Sequence, residues 1–190
     1  MQLAETIAKR KETRYNCRNG KEGIAMYNEL TAQDIAIMQK ELDELRLKVL
    51  PDAIEEVKRT RAFGDLSENY EYKAAKQAQN ACKKRIRYLE RMIKSATVIE
   101  DDAAEDEVGL FDLVELYLED DEDTETVQVV TTVRCDPRQG RISKESPMGK
   151  ALLGKKIGDR FEVTTDSGYS YFVKVQSVTK SQDDGTAPIL

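Results

Sequence analysis

The chain has 190 residues, 39% of them hydrophobic and 35% charged, with 6% aromatic and no Trp; it holds one ordinary domain or two small ones, and its composition argues against one large core. With no histidine anywhere, Ser-His and Cys-His catalysis and every His-ligated metal site are excluded, so any bound metal takes oxygen ligands. The formal net charge is only -6, but eleven Lys/Arg face four Asp/Glu between Lys58 and Lys94, while every charged residue from Glu100 to Glu125 is acidic.

Residues 1–27 are basic, contain Gly and Asn, and lack a sustained apolar period, so they are expected to form a disordered extension, with Met26 as a second possible start. Lys9, Arg10, Lys11, Arg14 and Arg18 there read as a solvated tail rather than a nucleic-acid contact. There is no apolar leader and no run approaching the ~18 apolar residues of a membrane span. Three cysteines, Cys17, Cys82 and Cys135, suggest neither a disulfide framework nor a zinc site. A cytoplasmic protein is expected.

Thr31 and Asp34 resemble a capped helix start, after which Ile35, Met38, Leu42, Leu45 and Val49 recur at three- and four-residue steps. Pro51 removes one backbone donor and predicts a bend and a change of phase, with the seam resuming at Leu50, Ile54 and Val57. Beyond Gly64 a second heptad pattern runs through Ala75, Cys82, Ile86, Leu89, Ile93 and Ala96, with Lys and Arg on the other face. Two such helices on a short connection predict an antiparallel coiled-coil finger over 28–99, about 45 Å long at ~1.5 Å per residue.

The acidic run 100–107 reads as a linker. Val-, Tyr- and Phe-rich stretches follow at Gly109–Leu118, Val127–Arg134, Arg160–Thr165 and Ser170–Val178, with a turn at Asp166-Ser167-Gly168. One short helix is punctuated by Ser146 as N-cap, Pro147 at the first helical position and Gly154 at its close. These features predict an α+β chain whose second part, 108–180, is a small antiparallel sheet with one helix packed on it, followed by a loose tail at 181–190.

Asp65 and Glu68 sit where the two helical patterns meet. Their spacing alone fits a capping box, which stabilises a helix N-terminus by about 0.5–2 kcal/mol. Two features point past it. The pair lies at the projected end of a long hairpin, and Arg61, Lys73 and Lys76 form a basic collar around it. A basic rod suits a polyanion, and carboxylates suit Mg²⁺, which prefers hard oxygen ligands. Two carboxylates cannot fill a site of about six oxygens, so the partner or its substrate must supply the rest. The chain thus reads as half of a phosphodiester-cleaving centre and not as a free-standing hydrolase.

GDLSENYEYKAAK at Gly64–Lys76, ATVIED after the second helix and ISKESPMGKALLGKKIGD at Ile142–Asp159 resemble the bacterial Gre transcript cleavage factors, of the GreA and GreB kind, over roughly Leu30 to Val178. The resemblance implies a coiled-coil finger followed by an FKBP-like domain. It implies an accessory factor, monomeric when free, that docks on RNA polymerase through the region of Ser146 and Pro147 and inserts its tip into the secondary channel. There Asp65 and Glu68 would hold a Mg²⁺ shared with the polymerase and so promote cleavage of backtracked nascent RNA, with Arg61 and Lys76 at the family's basic positions near that RNA and Lys73 of the collar expected to bind it with them. Tyr70, where the family commonly has alanine, and Glu145 before Ser-Pro depart from the pattern, and KKRIRYLERM gives a longer basic stripe of the GreB kind. Three other readings remain open: a channel-binding regulator that inhibits without cleavage, a stalk-borne FKBP-like isomerase or chaperone, and a structural coiled-coil adaptor with a merely capped tip.

Overall fold

A computed structural model describes residues 29–62, 69–183, 185 and 187–189. The chain divides into two compact units: Ala32–Val98, and Ile99 onward, which also includes Glu29–Thr31. The extended pair Glu29–Leu30 is β1. Helix α1 spans Ala32–Glu44, α2 Leu50–Arg61, α3 Tyr70–Ser95, and Thr97–Val98 is β2.

In the first unit α1 and α2 both pack on α3, forming a helical hairpin. Met38 and Leu42 are buried on α1, and α3 buries Ala75, Gln79, Cys82, Ile86, Leu89 and Met92. That stripe keeps the three- and four-residue steps that place side chains on one helix face. Ion pairs flank it: Arg85 grips Glu41 through two hydrogen bonds of 2.7 and 2.9 Å, and Arg46 pairs with Glu90. Each pair is half-exposed and contributes under about 1 kcal/mol.

Pro51 acts as expected, but upstream of itself. Having no amide hydrogen, it breaks the i→i−4 ladder, and Leu45–Val49 take up a π-helical turn in which the Leu50 N–H bonds Leu45 O. The wider turn rotates the seam. Val49, expected inside, is 42% exposed, and Leu47 is 76% exposed. Burial resumes at Ile54, Val57 and Thr60.

The second unit is a five-stranded sheet of order β5-β4-β3-β7-β6, built from β3 (Leu113–Leu118), β4 (Asp123–Val130), β5 (Arg141–Ser143), β6 (Arg160–Thr164) and β7 (Ser170–Thr179). Helix α4 spans Pro147–Leu152. Residues alternate across the strands, so Val114, Leu116, Leu118, Phe161, Val163, Tyr171, Val173 and Val175 share one core with Met148 and Leu152 of α4. The pairings are antiparallel except one: β5 lies parallel to β4, with Gln128 opposite Arg141 and Val130 opposite Ser143. The stretch expected as one strand to Arg134 stops at Val130. Thr132–Arg134 and Pro137–Gln139 form 3₁₀ turns that carry the chain across to β5.

The acidic stretch 100–107 belongs to this unit. Lys156 pairs with Asp106 at 2.7 Å and Glu107 at 3.6 Å, and the Val108 N–H donates to Lys155 O at 2.8 Å. The C-terminal segment is also anchored where it begins. Buried Asp112 accepts hydrogen bonds from the Gly109 N–H (2.7 Å), the Ser181 N–H (3.2 Å) and Lys180 Nζ (2.9 Å), and Asp183 pairs with buried Arg134 at 2.5 Å.

Candidate functional site

The candidate site is built where α2 ends and α3 begins. Asp65 and Glu68 lie outside the described residues; the residues on both sides of them do not. Thr60, in the last turn of α2, is buried, and its hydroxyl donates back to Glu56 O at 2.9 Å. Asn69 has extended backbone angles and serves as N-cap of α3: its Oδ1 accepts the Tyr72 N–H at 2.9 Å while its Nδ2 donates to Thr60 O at 2.8 Å. One carboxamide therefore bonds an N–H in the first turn of one helix and a C=O in the last turn of the other, at termini where the helical ladder runs out. Asn69 is thus the cap of α3, and the capping-box reading of Asp65 and Glu68 lies outside the described residues.

The basic collar occupies the flanking turns. Arg61 is exposed as the last residue of α2. Lys73 lies over the ring of exposed Tyr70, 5.5 Å from its centroid, and exposed Lys76 donates to the amide oxygen of buried Gln79 at 3.2 Å. Close by, Arg59 holds Glu56 through hydrogen bonds of 2.9 and 2.5 Å; that hydrogen bonding lowers the Glu56 pKa against desolvation and raises that of Arg59. Among the described residues, no three Asp, Glu, Cys or His side chains converge to hold a metal ion. Asp65 and Glu68, the carboxylates expected to meet Mg²⁺, lie outside the described residues, and their residue type, a hard oxygen donor, is what fits that ion.

Ser146 and Pro147 lie in the globular unit. Ser146 is buried, donating to Ser143 O at 2.7 Å and accepting the Gly149 N–H at 3.0 Å. Its hydroxyl shapes the turn into α4, leaving Pro147 as the half-buried member of the pair. A cleft of about 710 Å³ in the same unit has Tyr117 as its one aromatic wall, with Glu119, Glu122 and Lys174 adding charge. This is not the aromatic-lined pocket an FKBP-type isomerase requires.

Residues 28–98 match the family description "Transcription elongation factor, N-terminal", and residues 103–180 match "Transcription elongation factor, GreA/GreB, C-term". The chain belongs to the GreA/GreB family. It is 41% identical over 150 residues to transcription elongation factor GreA of Limosilactobacillus fermentum, covering 78% of this chain and 94% of that protein. It is 37% identical over 150 residues to GreA of Macrococcus caseolyticus, covering 79% and 95%. Among solved structures, GreA factor homolog 1 of Thermus thermophilus is 28% identical over 80% of this chain and 98% of its own, with a TM-score of 0.38. A GreA/GreB factor from Nitrosomonas europaea is 25% identical over 50% and 79%, with a TM-score of 0.36. The two family regions fall on the helical hairpin and the sheet unit, and both quoted sequence relatives carry the GreA name.

Sequence reading missed two residues of this GreA/GreB hairpin. Asn69 carries a signal, an Asn directly before a helical run, but Asp65 four residues earlier offered a competing cap. Gln79 lies at a heptad position that a count of apolar residues passes over.

Proposed function

We propose that this chain binds RNA polymerase and stimulates the polymerase's own cleavage of a backtracked transcript, rescuing arrested elongation complexes without itself being a nuclease. Family membership supplies the elongation-factor role. The observation that supports the chemistry is the exposed basic set at the α2–α3 junction: Asn69 caps α3, and exposed Arg61, Lys73 and Lys76 flank in sequence the acidic pair Asp65 and Glu68.

The helical hairpin is the arm that enters the secondary channel, and the sheet unit, through the turn shaped by Ser146 and ending in Pro147, is the docking body. Arg61, Lys73 and Lys76 draw the extruded RNA 3′ end by its phosphates. Asp65 and Glu68 would hold a Mg²⁺ shared with the polymerase active centre, which when bound supplies Lewis-acid activation of water for in-line attack. The two carboxylates orient that water.

The test is a stalled, backtracked elongation complex supplied with Mg²⁺ and this protein. Wild type shortens the RNA from its 3′ end; Asp65→Ala and Glu68→Ala compete with wild type for the polymerase but cleave at least about 100-fold more slowly. Asp65→Ala cleaving at the wild-type rate would falsify the carboxylate assignment. Wild type that binds and never cleaves makes the protein a channel-occupying regulator instead.

A further inference from the structure

Tyr70 is 81% exposed, more than any other large apolar side chain among the described residues, although burying an aromatic ring is among the larger gains open to a side chain. Tyr88, on the same helix, is half-buried with the Arg85 guanidinium 5.3 Å from its ring, and Arg85 is itself held by Glu41. Among the described residues, the ring contact of Tyr70 is with Lys73. Stepping down α3 from Tyr70 by three and four residues passes Lys73, Lys84, Arg87, Arg91 and Lys94, with only the neutral Gln77 and Asn80 between; every one of these side chains is exposed and none is acidic. The stripe covers 24 residue steps, about 36 Å at 1.5 Å each. It is a track of positive charge with an exposed aromatic ring at its N-terminal end.

We propose that Tyr70 is a stacking platform for a nucleobase of single-stranded RNA. Lys73 backs one face of the ring and the base lies on the other, while the cations below take up the phosphates. The chemistry is that of sequence-tolerant single-strand binding: every base offers a π-face, a tyrosine ring matches it, and nearby cations add phosphate attraction. This inference rests on the transcript-cleavage reading and adds to it a grip on the base of the extruded strand. Binding then depends on what that base is, and purines, with the larger face, hold best.

The experiment uses backtracked complexes that differ only in the extruded nucleotide: purine, pyrimidine or abasic. The factor concentration giving half-maximal cleavage is measured for wild type, Tyr70→Phe and Tyr70→Ala. A photoreactive base at the same RNA position provides a crosslinking readout that needs no cleavage, made also with Asp65→Ala. Wild type and Tyr70→Phe need about tenfold less protein with a purine than with an abasic end; Tyr70→Ala loses that difference and the crosslink at position 70. Circular dichroism confirms that Tyr70→Ala keeps its helix. If Tyr70→Ala retains the wild-type base dependence and RNA crosslinks elsewhere, the stacking role is refuted. If wild type fails to cleave while the Tyr70-dependent crosslink persists, the cleavage reading fails and the stacking role stands.

Discussion

Asn69→Ala severs the carboxamide that ties the two helices of the hairpin together. It removes the N-cap bond to the Tyr72 N–H, worth about 1 kcal/mol, and the bond to Thr60 O, worth about 0.5–1.5 kcal/mol. The expected loss is about 2 kcal/mol. In a unit the size of Ala32–Val98 that lowers the midpoint of helix melting by about 10 °C. Asn69→Ser separates the two contributions: its hydroxyl keeps the cap but is too short to reach Thr60, so about half the loss should return. The assay is thermal unfolding followed by far-UV circular dichroism, with hydrogen exchange at the Tyr72 amide to report the cap. Exchange should speed in the alanine variant and stay slow in the serine variant. Should Asn69→Ala melt with wild type, or serine cost as much as alanine, the two-sided role of this carboxamide is wrong.

In the globular unit, Asp112→Ala leaves the Lys180 ammonium and the Gly109 and Ser181 amides without their shared acceptor, and a loss of about 3 kcal/mol in urea unfolding is expected; a loss under about 1 kcal/mol would mean water replaces the carboxylate. Stability of this unit also falls with acid. Glu119 and Asp106 have their pKa lowered, first by hydrogen bonds from Arg160 and Lys156, with desolvation opposing and the charges of those partners adding. A folded pKa below the unfolded one gives stability that is fully present above the ordinary carboxylate range and lost as pH drops through the folded value. Urea midpoints should fall in acid, less steeply in Glu119→Gln, and the difference should shrink in high salt because these groups are exposed. An unchanged slope in Glu119→Gln refutes that source.

Much of the hairpin is legible in the amino acids. Cys82, Ile86 and Leu89 repeat at heptad steps and are buried, as are Met38 and Leu42, because an apolar stripe on a helix leaves water against whatever partner is near. Helix α4 is as readable: Ser146, Pro147 and Gly154, the last at φ +75°, act within a few bonds of their own backbone. Asp65 and Glu68 stood out in the sequence but lie outside the described residues, whereas Arg61, Lys73 and Lys76 are exposed on the helices that flank them. Val49 was misplaced because the missing proline donor was accommodated by a wider turn four residues upstream, a choice that local spacing does not encode.

What the amino-acid sequence determined by itself is therefore much of what neighbouring residues settle among themselves: most of the helix faces, strand alternation, the punctuation of α4, and the run of charges along α3. What only the tertiary structure decided is which distant groups meet. The carboxamide that caps α3, Asn69, also donates to the Thr60 carbonyl across the hairpin, a bond a carboxylate could not donate. β5 runs parallel because the 3₁₀ turns after β4 return the chain in that direction, and Asp112 gathers Lys180 and Ser181 from the far end of the chain. Such choices depend on the free energy of contacts between residues far apart in sequence, which no short window of residues contains.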